Sequence, residues 1–338
     1  MRAPDFWTTR GALAKALEPA SALWRLGTRI ERRLVKPQRA KRPILCVGNL
    51  VAGGAGKTPT ALAIGAALRA RGRTVHFLTR GYGGTSAGPL LAGKDASAAL
   101  IGDETLLLAA QAPTVVAADR AAGAKFIEES DLGATVIVMD DGFQNPGLAK
   151  DLNLIVVDAS LGLGNGKVMP AGPLRAPLTT QMPRAHALLL VGDGGKAAPL
   201  AKQFEQAGKP VLKAKLAPVG DARWLTVLPV VGFAGIANPK KFYATLSQNG
   251  ARLMGTRSFP DHHSFSERQA ERLLNWGREW SCMLVTTEKD WVRLPDDDGT
   301  ALSELKFRSR PLIVALGFAD PEAVTALLAK ALKDRRAA

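Results

Sequence analysis

Cysteine, histidine, aromatic residues and carboxylates are all sparse in this chain, and each shortage removes a class of protein. Two cysteines in 338 residues, Cys46 and Cys282, supply neither a disulfide framework nor a metal-binding spacing. Both stand in apolar runs, "PILCVGN" and "SCMLVTT", and read as small core residues in a reducing compartment. No apolar run reaches the roughly 18 residues that span a bilayer. Charge breaks the first apolar stretch too early for a secretory leader. Aromatic residues make up 6% of the chain and do not interleave with a basic stripe. No RNP, helix-turn-helix or zinc signature is present, so no nucleic-acid partner is expected. The deficit of acids remains: 45 Lys and Arg against 30 Asp and Glu give a formal charge of +15. That excess suits phosphorylated substrates or an anionic lipid surface.

What is present is a chain long enough for about two domains. An N-terminal segment, residues 1–38, carries Leu13, Leu17, Ala20 and Trp24 at helical spacing, widened by Leu23, Ile30 and Leu34. Arg10, Lys15, Arg25, Arg29, Arg32, Arg33 and Lys36 surround that stripe. Pro19 is expected to break or kink the helix. Such a basic amphipathic helix either packs its apolar face on the domain behind it or lies on a membrane surface.

From residue 43 onward, short apolar strands alternate with helices: "PILCVGN", "TVHFLTR", "PTVVAA", "ATVIVMDD", "LNLIVVD" and "AHALLLVGD". Strands apolar on both faces, with helices between them, indicate an α/β fold with a parallel sheet covered on both sides. Ligands bind beyond the carboxyl ends of such strands. A second series, "VLPVVGFAGI", "ARLMGTRSF", "CMLVTTEKD" and "RPLIVALGF", indicates a smaller α/β domain. The expected division is 39–220 and 221–338, joined through the less regular "KAKLAPVGDARWL".

The first strand runs into "VAGGAGKT", residues 51–58, a phosphate loop of the P-loop NTPase kind. Val51, Ala52, Gly53, Gly54, Ala55, Gly56, Lys57 and Thr58 form the candidate nucleotide cradle, although Val51 stands where the common pattern has glycine. Glycine freedom lets backbone N–H groups meet phosphate oxygens, Lys57 would reach the β- and γ-phosphates, and Thr58 would hold Mg²⁺. "VIVMDDGFQ" ends a strand with Asp140 and Asp141, a turn or, beside a phosphate loop, the metal carboxylates. In "IGDETLLLA", Asp103 and Glu104 stand before a helical run, as a helix cap or as the base or positioning group that phosphoryl transfer needs near an acceptor hydroxyl. "FPDHHSF" holds His262 and His263, open to three readings: metal ligands, a surface turn or a proton relay. Arg80, Arg120 and Arg175 are candidate phosphate clamps or structural arginines. Glu288, Lys289 and Asp290 end a strand of the second domain and are expected to face the cleft, where nucleotide contact or interdomain closure would both fit.

"VGNLVAGGAGKTP", "LTRGYGG", "GDE", "DDGFQ", "AGPLRAPL", "FPDHHSF" and "TTEKDWVRL" occur in the order seen in the tetraacyldisaccharide 4'-kinase family, which the chain resembles over about residues 40–295. The resemblance implies ATP and Mg²⁺ as cofactors. It implies the lipid A disaccharide 1-phosphate as acceptor at its 4'-hydroxyl, and two α/β domains that close over the nucleotide. It implies a peripheral place on the cytoplasmic face of the bacterial inner membrane, against an anionic surface, with no obligate protein partner evident. It also implies Asp103 as the carboxylate that takes the hydroxyl proton, His262 as its partner across the domains, and Gln144 among the substrate or phosphate contacts. The chain departs from the family pattern at Val51, at Asn145, where His is frequent, and at Ala176, where Glu is common. The alternative reading is a P-loop ATPase or small-molecule kinase with a soluble substrate.

Overall fold

The computed structural model describes residues 4–93, 96–130 and 133–337. In chain order the strands are β1 (Ile44–Gly48), β2 (Val75–Thr79), β3 (Leu90–Leu91), β4 (Thr114–Val116), β5 (Val136–Asp140), β6 (Leu152–Asp158) and β7 (Ala187–Val191). They continue with β8 (Val211–Pro218), β9 (Val230–Ala234), β10 (Leu253–Ser258), β11 (Met283–Thr287), β12 (Ser309–Leu312) and β13 (Val314–Phe318). Nine of them form one sheet in the order β13-β8-β7-β6-β1-β5-β2-β4-β3, and four form another, β10-β9-β11-β12. The large sheet is parallel except at its two edges, where β13 and β3 run antiparallel to their neighbours. The small sheet is wholly parallel.

Side-chain alternation along a strand sends Ile44 and Cys46 of β1 to one face and Leu45 and Val47 to the other. On the first face they join Leu78, Ile127 and Phe204, under helices Arg120–Glu129 and Ala198–Gln206. On the second they meet Ile64 and Leu68 of helix Lys57–Arg69, with Val324 and Leu328 of helix Pro321–Ala337. The small sheet repeats the plan. Val231 and Phe233 pack on Leu273 and Leu274 of helix Glu267–Glu279, while Val230 and Ala234 pack on Phe242 and Leu246 of helix Pro239–Gln248. β1 is central, with β5 and β6 parallel on either side. The carboxyl ends of all three therefore open at one edge, where the phosphate loop leaves β1.

Two local expectations need correction. "RPLIVALGF" is two strands, broken at half-exposed Ile313: β12 stays in the small sheet, and β13 crosses to the large one. There it pairs with the otherwise free edge of β8, Leu316 opposite Leu216, and helix Pro321–Ala337 covers the sheet behind it. Residues 221–338 are thus not one continuous unit, because an uncovered edge and face of the large sheet draw the C-terminus back. β8 itself lies in the stretch taken as the start of an irregular join; its exposed Lys213 and Lys215 alternate with buried Leu212 and Ala214, which weakens the apolar signal. The helix break expected at Pro19 is present: short helix Ala12–Ala16 ends at Leu17, where helix Glu18–Leu34 begins, and Pro19 lies in the first turn of the latter. Its missing N–H is harmless there. Residues 1–3 of the N-terminal segment lie outside the described residues.

One buried group makes the core sensitive to acid. His76, on β2, is 0% exposed and neither ring nitrogen has a hydrogen-bond partner among the described residues. Burial pushes its pKa below 6.5. The native imidazole stays neutral while the unfolded chain takes up a proton below about pH 6.5, so its contribution is complete above that value and falls as pH drops below it. The thermal midpoint should therefore fall between about pH 7 and pH 5, and fall less in His76→Leu. Equal acid sensitivity in the two proteins would contradict this.

Candidate functional site

The phosphate loop is shaped by two glycines in left-handed backbone. Gly53 has φ +116° and Gly56 has φ +85°, the latter at the N-terminus of helix Lys57–Arg69. Val51 needs no such freedom, because it bridges antiparallel to Leu174, and the Ala52 N–H donates to the Pro173 carbonyl at 2.8 Å. The loop is therefore braced on the segment that carries Arg175. Asn49 Nδ2 donates to the Gly53 carbonyl at 3.2 Å, and Lys57 Nζ lies 3.3 Å from the same oxygen.

Parallel pairing of β1 with β5, Val47 opposite Asp140, carries the two acids to this loop. Thr58 Oγ1 donates to Asp140 Oδ2 at 2.9 Å. Asp141, in a left-handed turn at φ +49°, points elsewhere: Arg175 Nη2 is 3.2 Å from its Oδ2 and Lys57 Nζ 3.6 Å. Burial, with Glu104 and Asp141 nearby, pushes the Asp140 carboxyl up to about 7. Burial also opposes the Asp141 charge, but Lys57 and Arg175 outweigh it and hold that carboxyl below the usual range. Oδ1 of each acid is buried without a partner among the described residues. Two unpaired carboxylate oxygens beside a threonine hydroxyl fit a hard, oxygen-seeking dication. No group of three His, Cys, Asp or Glu able to hold a metal occurs among the described residues. A cation here would thus draw its other ligands from phosphate or water, the habit of Mg²⁺.

The opposite wall is built by both lobes. Asp103 begins helix Asp103–Ala109 and is 3% exposed. His262, at φ +132°, comes from the turn after β10, and its Nδ1 lies 3.4 Å from Asp103 Oδ1. The edge of the Tyr82 ring meets the imidazole, centroids 5.2 Å apart. Arg293 Nη2 donates to Asp103 Oδ2, and Lys289 Nζ pairs with Glu104. Burial resists the Asp103 charge, yet the hydrogen bond to His262 and the Arg293 and Lys289 cations hold its carboxyl well below the ordinary range. Lys241 Nζ reaches Asp158 Oδ2 at 3.1 Å, a third cation of the small lobe on an acid of the large one. An added Cβ at Gly54 would lie 3.6 Å from Ala237 Cβ, so the small lobe also stands over the phosphate loop.

The family model described as Tetraacyldisaccharide-1-P 4'-kinase matches residues 13–333. The chain belongs to the tetraacyldisaccharide 4'-kinase family. Relatives bearing that name include one from Parvibaculum lavamentivorans, 49% identical over 300 residues, 87% of each chain. Another, from Paramagnetospirillum magneticum, is 44% identical over 328 residues, 97% of this chain and 98% of the relative. Among solved structures, the chain is similar to the "apo" form of LpxK from Aquifex aeolicus in complex with ATP. There the TM-score is 0.70 at 25% identity, over 95% of this chain and 99% of the other.

Within this tetraacyldisaccharide 4'-kinase scaffold the expected residues do not all converge. Lys57, Thr58, Asp140, Asp141 and Arg175 meet at the loop, and Asp103 meets His262 across the lobes. His263 turns away, to Gln269 Oε1 at 2.8 Å and a stacked Phe259 ring, so the two histidines do not act as one ligand pair. Arg120 is buried and its Nη1 donates to the Ala117 carbonyl; Arg80 is exposed. Gln144 is spent on structure: Nε2 donates to Gln181 Oε1 at 2.6 Å and to the Asn49 carbonyl at 3.2 Å, and Oε1 accepts from Arg32 Nη2 at 2.7 Å. At the other two departures, Asn145 Oδ1 caps the turn by accepting from the Gly147 and Leu148 N–H groups, and Ala176 is buried. Arg293 and Tyr82 went unassigned in the sequence although both stand in the quoted motifs; a charged or aromatic residue inside "TTEKDWVRL" or "LTRGYGG" was the available signal.

Because Val51 is held by a strand bridge, Val51→Gly should lower stability by about 0.5–1 kcal/mol and leave affinity for a fluorescent nucleotide analogue within about threefold of the parent. Thermal unfolding and titration measure both. A clear gain in affinity would show that the valine compromises the loop.

Proposed function

We propose that this chain transfers the γ-phosphoryl group of ATP to the 4'-hydroxyl of a tetraacyldisaccharide 1-phosphate at the cytoplasmic face of the inner membrane. The observation that carries the reading is the pairing of two half-sites across one cleft: a lysine-bearing phosphate loop with two acids, and the Asp103–His262 pair opposite. Family membership, with the relatives' shared name, supports the substrate and the reaction.

Each group then has a task. Backbone N–H groups of residues 53–58 and the Lys57 ammonium hold the β- and γ-phosphates. Thr58, Asp140 and Asp141 would hold Mg²⁺, which when bound neutralises phosphate charge. Asp103 accepts the proton of the sugar hydroxyl as its oxygen bonds to the γ-phosphorus and the bond to the ADP oxygen breaks. His262 orients that carboxylate. The lobes, residues 39–220 and most of 221–338, open to exchange ligands and close to expel water. Arg175, fixed on Asp141, is the arginine best placed for the transferring group; Arg120 donates to the Ala117 carbonyl and Arg80 is exposed.

The N-terminal segment supports the membrane assignment. It docks through polar contacts: Ser21 Oγ donates to the Val168 carbonyl at 2.8 Å, Trp7 Nε1 to Pro170 at 2.9 Å, and Trp24 Nε1 to Arg175 at 3.0 Å. Its apolar stripe is consequently left outside, with Leu23 at 73% and Leu34 at 77% exposure and Leu26 and Ile30 beside them. The alternative of an apolar face packed on the domain does not hold for these residues. No helix among the described residues is long and apolar enough to cross a membrane. The stripe and its arginines fit a helix lying in an anionic lipid surface.

Incubation with γ-labelled ATP and lipid A disaccharide 1-phosphate should move label into the lipid. Asp103→Ala and Lys57→Ala should each lower that rate by at least ~10²-fold. Hydrolysis of ATP without lipid labelling would favour an ATPase or a kinase of a soluble substrate. Replacing Leu23, Leu26, Ile30 and Leu34 with serine should weaken binding to anionic vesicles while leaving ATP affinity within about threefold. Unchanged vesicle binding would refute the membrane role of the helix.

A further inference from the structure

Arg293 has no part in the assignments above, yet it bridges the two lobes at the reacting end of the cleft. Its side chain is 9% exposed. Nη1 is anchored within the small lobe, 2.7 Å from Asp290 Oδ1 and 3.1 Å from the Gly235 carbonyl. Asp290 is itself fully buried and fixed by Thr287 Oγ1 at 2.6 Å and the Gly235 N–H at 3.0 Å. Nη2 extends out of this socket, donates to Asp103 Oδ2 and lies 3.3 Å from His262 Nδ1. A guanidinium is a planar, rigid fork, so anchoring one arm sets the direction of the other. With Oδ2 engaged, Oδ1 is the Asp103 oxygen turned to His262.

We propose that Arg293 is a positioning residue for phosphoryl transfer: seated on Asp290, it engages Asp103 when the lobes close and aims the remaining carboxylate oxygen at the acceptor hydroxyl and His262. The proposal rests on the kinase reading above. It makes closure and assembly of the proton acceptor a single event, since the small lobe brings both Arg293 and His262 to an acid of the large one. Other charged or titratable groups facing the pair are Lys289 and Glu104 beside Asp103, Asp261 at 3.5 Å from His262 Nε2, and Tyr82 against the imidazole. All remain when Arg293 is changed. Lysine at this position keeps the charge but cannot hold Asp290, Gly235 and Asp103 with a fixed fork.

The test uses the full chain and compares Arg293→Ala and Arg293→Lys with the parent. It measures kcat, KM for MgATP, the pH dependence of kcat, and lobe closure by spin-label distances between the two lobes with a non-hydrolysable ATP analogue. Arg293→Ala should lower kcat by about 10²-fold, leave KM for MgATP within about threefold, and weaken nucleotide-driven closure. Losing a cation beside Asp103 disfavours its ionised form, so the acid limb should move upward by about one pH unit. Arg293→Lys should keep the acid limb near its parental position while kcat stays about tenfold low. A kcat within about threefold of the parent in either variant would overturn the proposal, as would, in Arg293→Ala, a lower kcat with unshifted acid limb and unaltered closure, the pattern of a merely structural residue. Should Arg293→Ala fail to fold, the lysine variant decides. Should the parent label no lipid, the kinase reading fails on its own, and equal closure by parent and variants would still refute the role of Arg293.

Discussion

A carboxylate taken out of water costs several kcal/mol unless cations and hydrogen bonds meet it in place. Asp103 is nearly fully buried, and the groups that keep it ionised come from the other lobe: Arg293, His262 and, a step away, Lys289. The small lobe is in the same position with a different residue, because Arg293 is a buried cation partly neutralised by Asp290 of its own lobe. Each lobe therefore carries charge that is best satisfied by the other. In the proposed reaction the acid would be held ready only while the lobes are together, which would limit proton transfer to the closed, water-poor state.

The large lobe makes this possible by placing two acids with opposite tendencies on one cleft, Asp140 at the end of β5 and Asp103 at the start of helix Asp103–Ala109. Asp140 is pushed towards neutrality by burial and neighbouring carboxylates, whereas Asp103 is held charged. A dication held by Thr58 and Asp140 would relieve the first; small-lobe cations relieve the second. The site is also mechanically tied to the N-terminal helix. Trp24 donates to the Arg175 carbonyl, and Arg32 binds Gln144, which holds the strand end that becomes the phosphate loop. The N-terminal helix proposed to lie on lipid is thus joined by hydrogen bonds to Arg175 and Gln144 beside the phosphate loop.

Much of this was legible in the residues themselves. The central strands read clearly because strands buried on both faces are apolar at every position, and the loop read clearly because glycines, lysine and threonine have fixed spacing there. The edge of the large sheet did not read. β8 mixes lysines with apolar residues, and the break at Ile313 between β12 and β13 depends on which sheet edge is free, a tertiary matter. Among site residues, Asp103 and His262 were named through resemblance, since a helix-start acid and a turn histidine look ordinary alone. Arg293 was not assigned because its meaning lies in partners distant in sequence. Gln144 and Arg120 show the converse: polar residues inside functional motifs whose hydrogen bonds go mostly to the scaffold.

The central claim is that closure sets the phosphate loop and the Asp103–His262 pair on one acceptor site. The most direct measurement is a crystal structure with Mg²⁺, a non-hydrolysable ATP analogue and the lipid acceptor. The account predicts Lys57 on the terminal phosphates, the sugar hydroxyl within hydrogen-bonding reach of Asp103, and its oxygen about 3–3.5 Å from the terminal phosphorus. A closed complex whose terminal phosphorus lies remote from Asp103 and His262, with another residue contacting the hydroxyl, would contradict it.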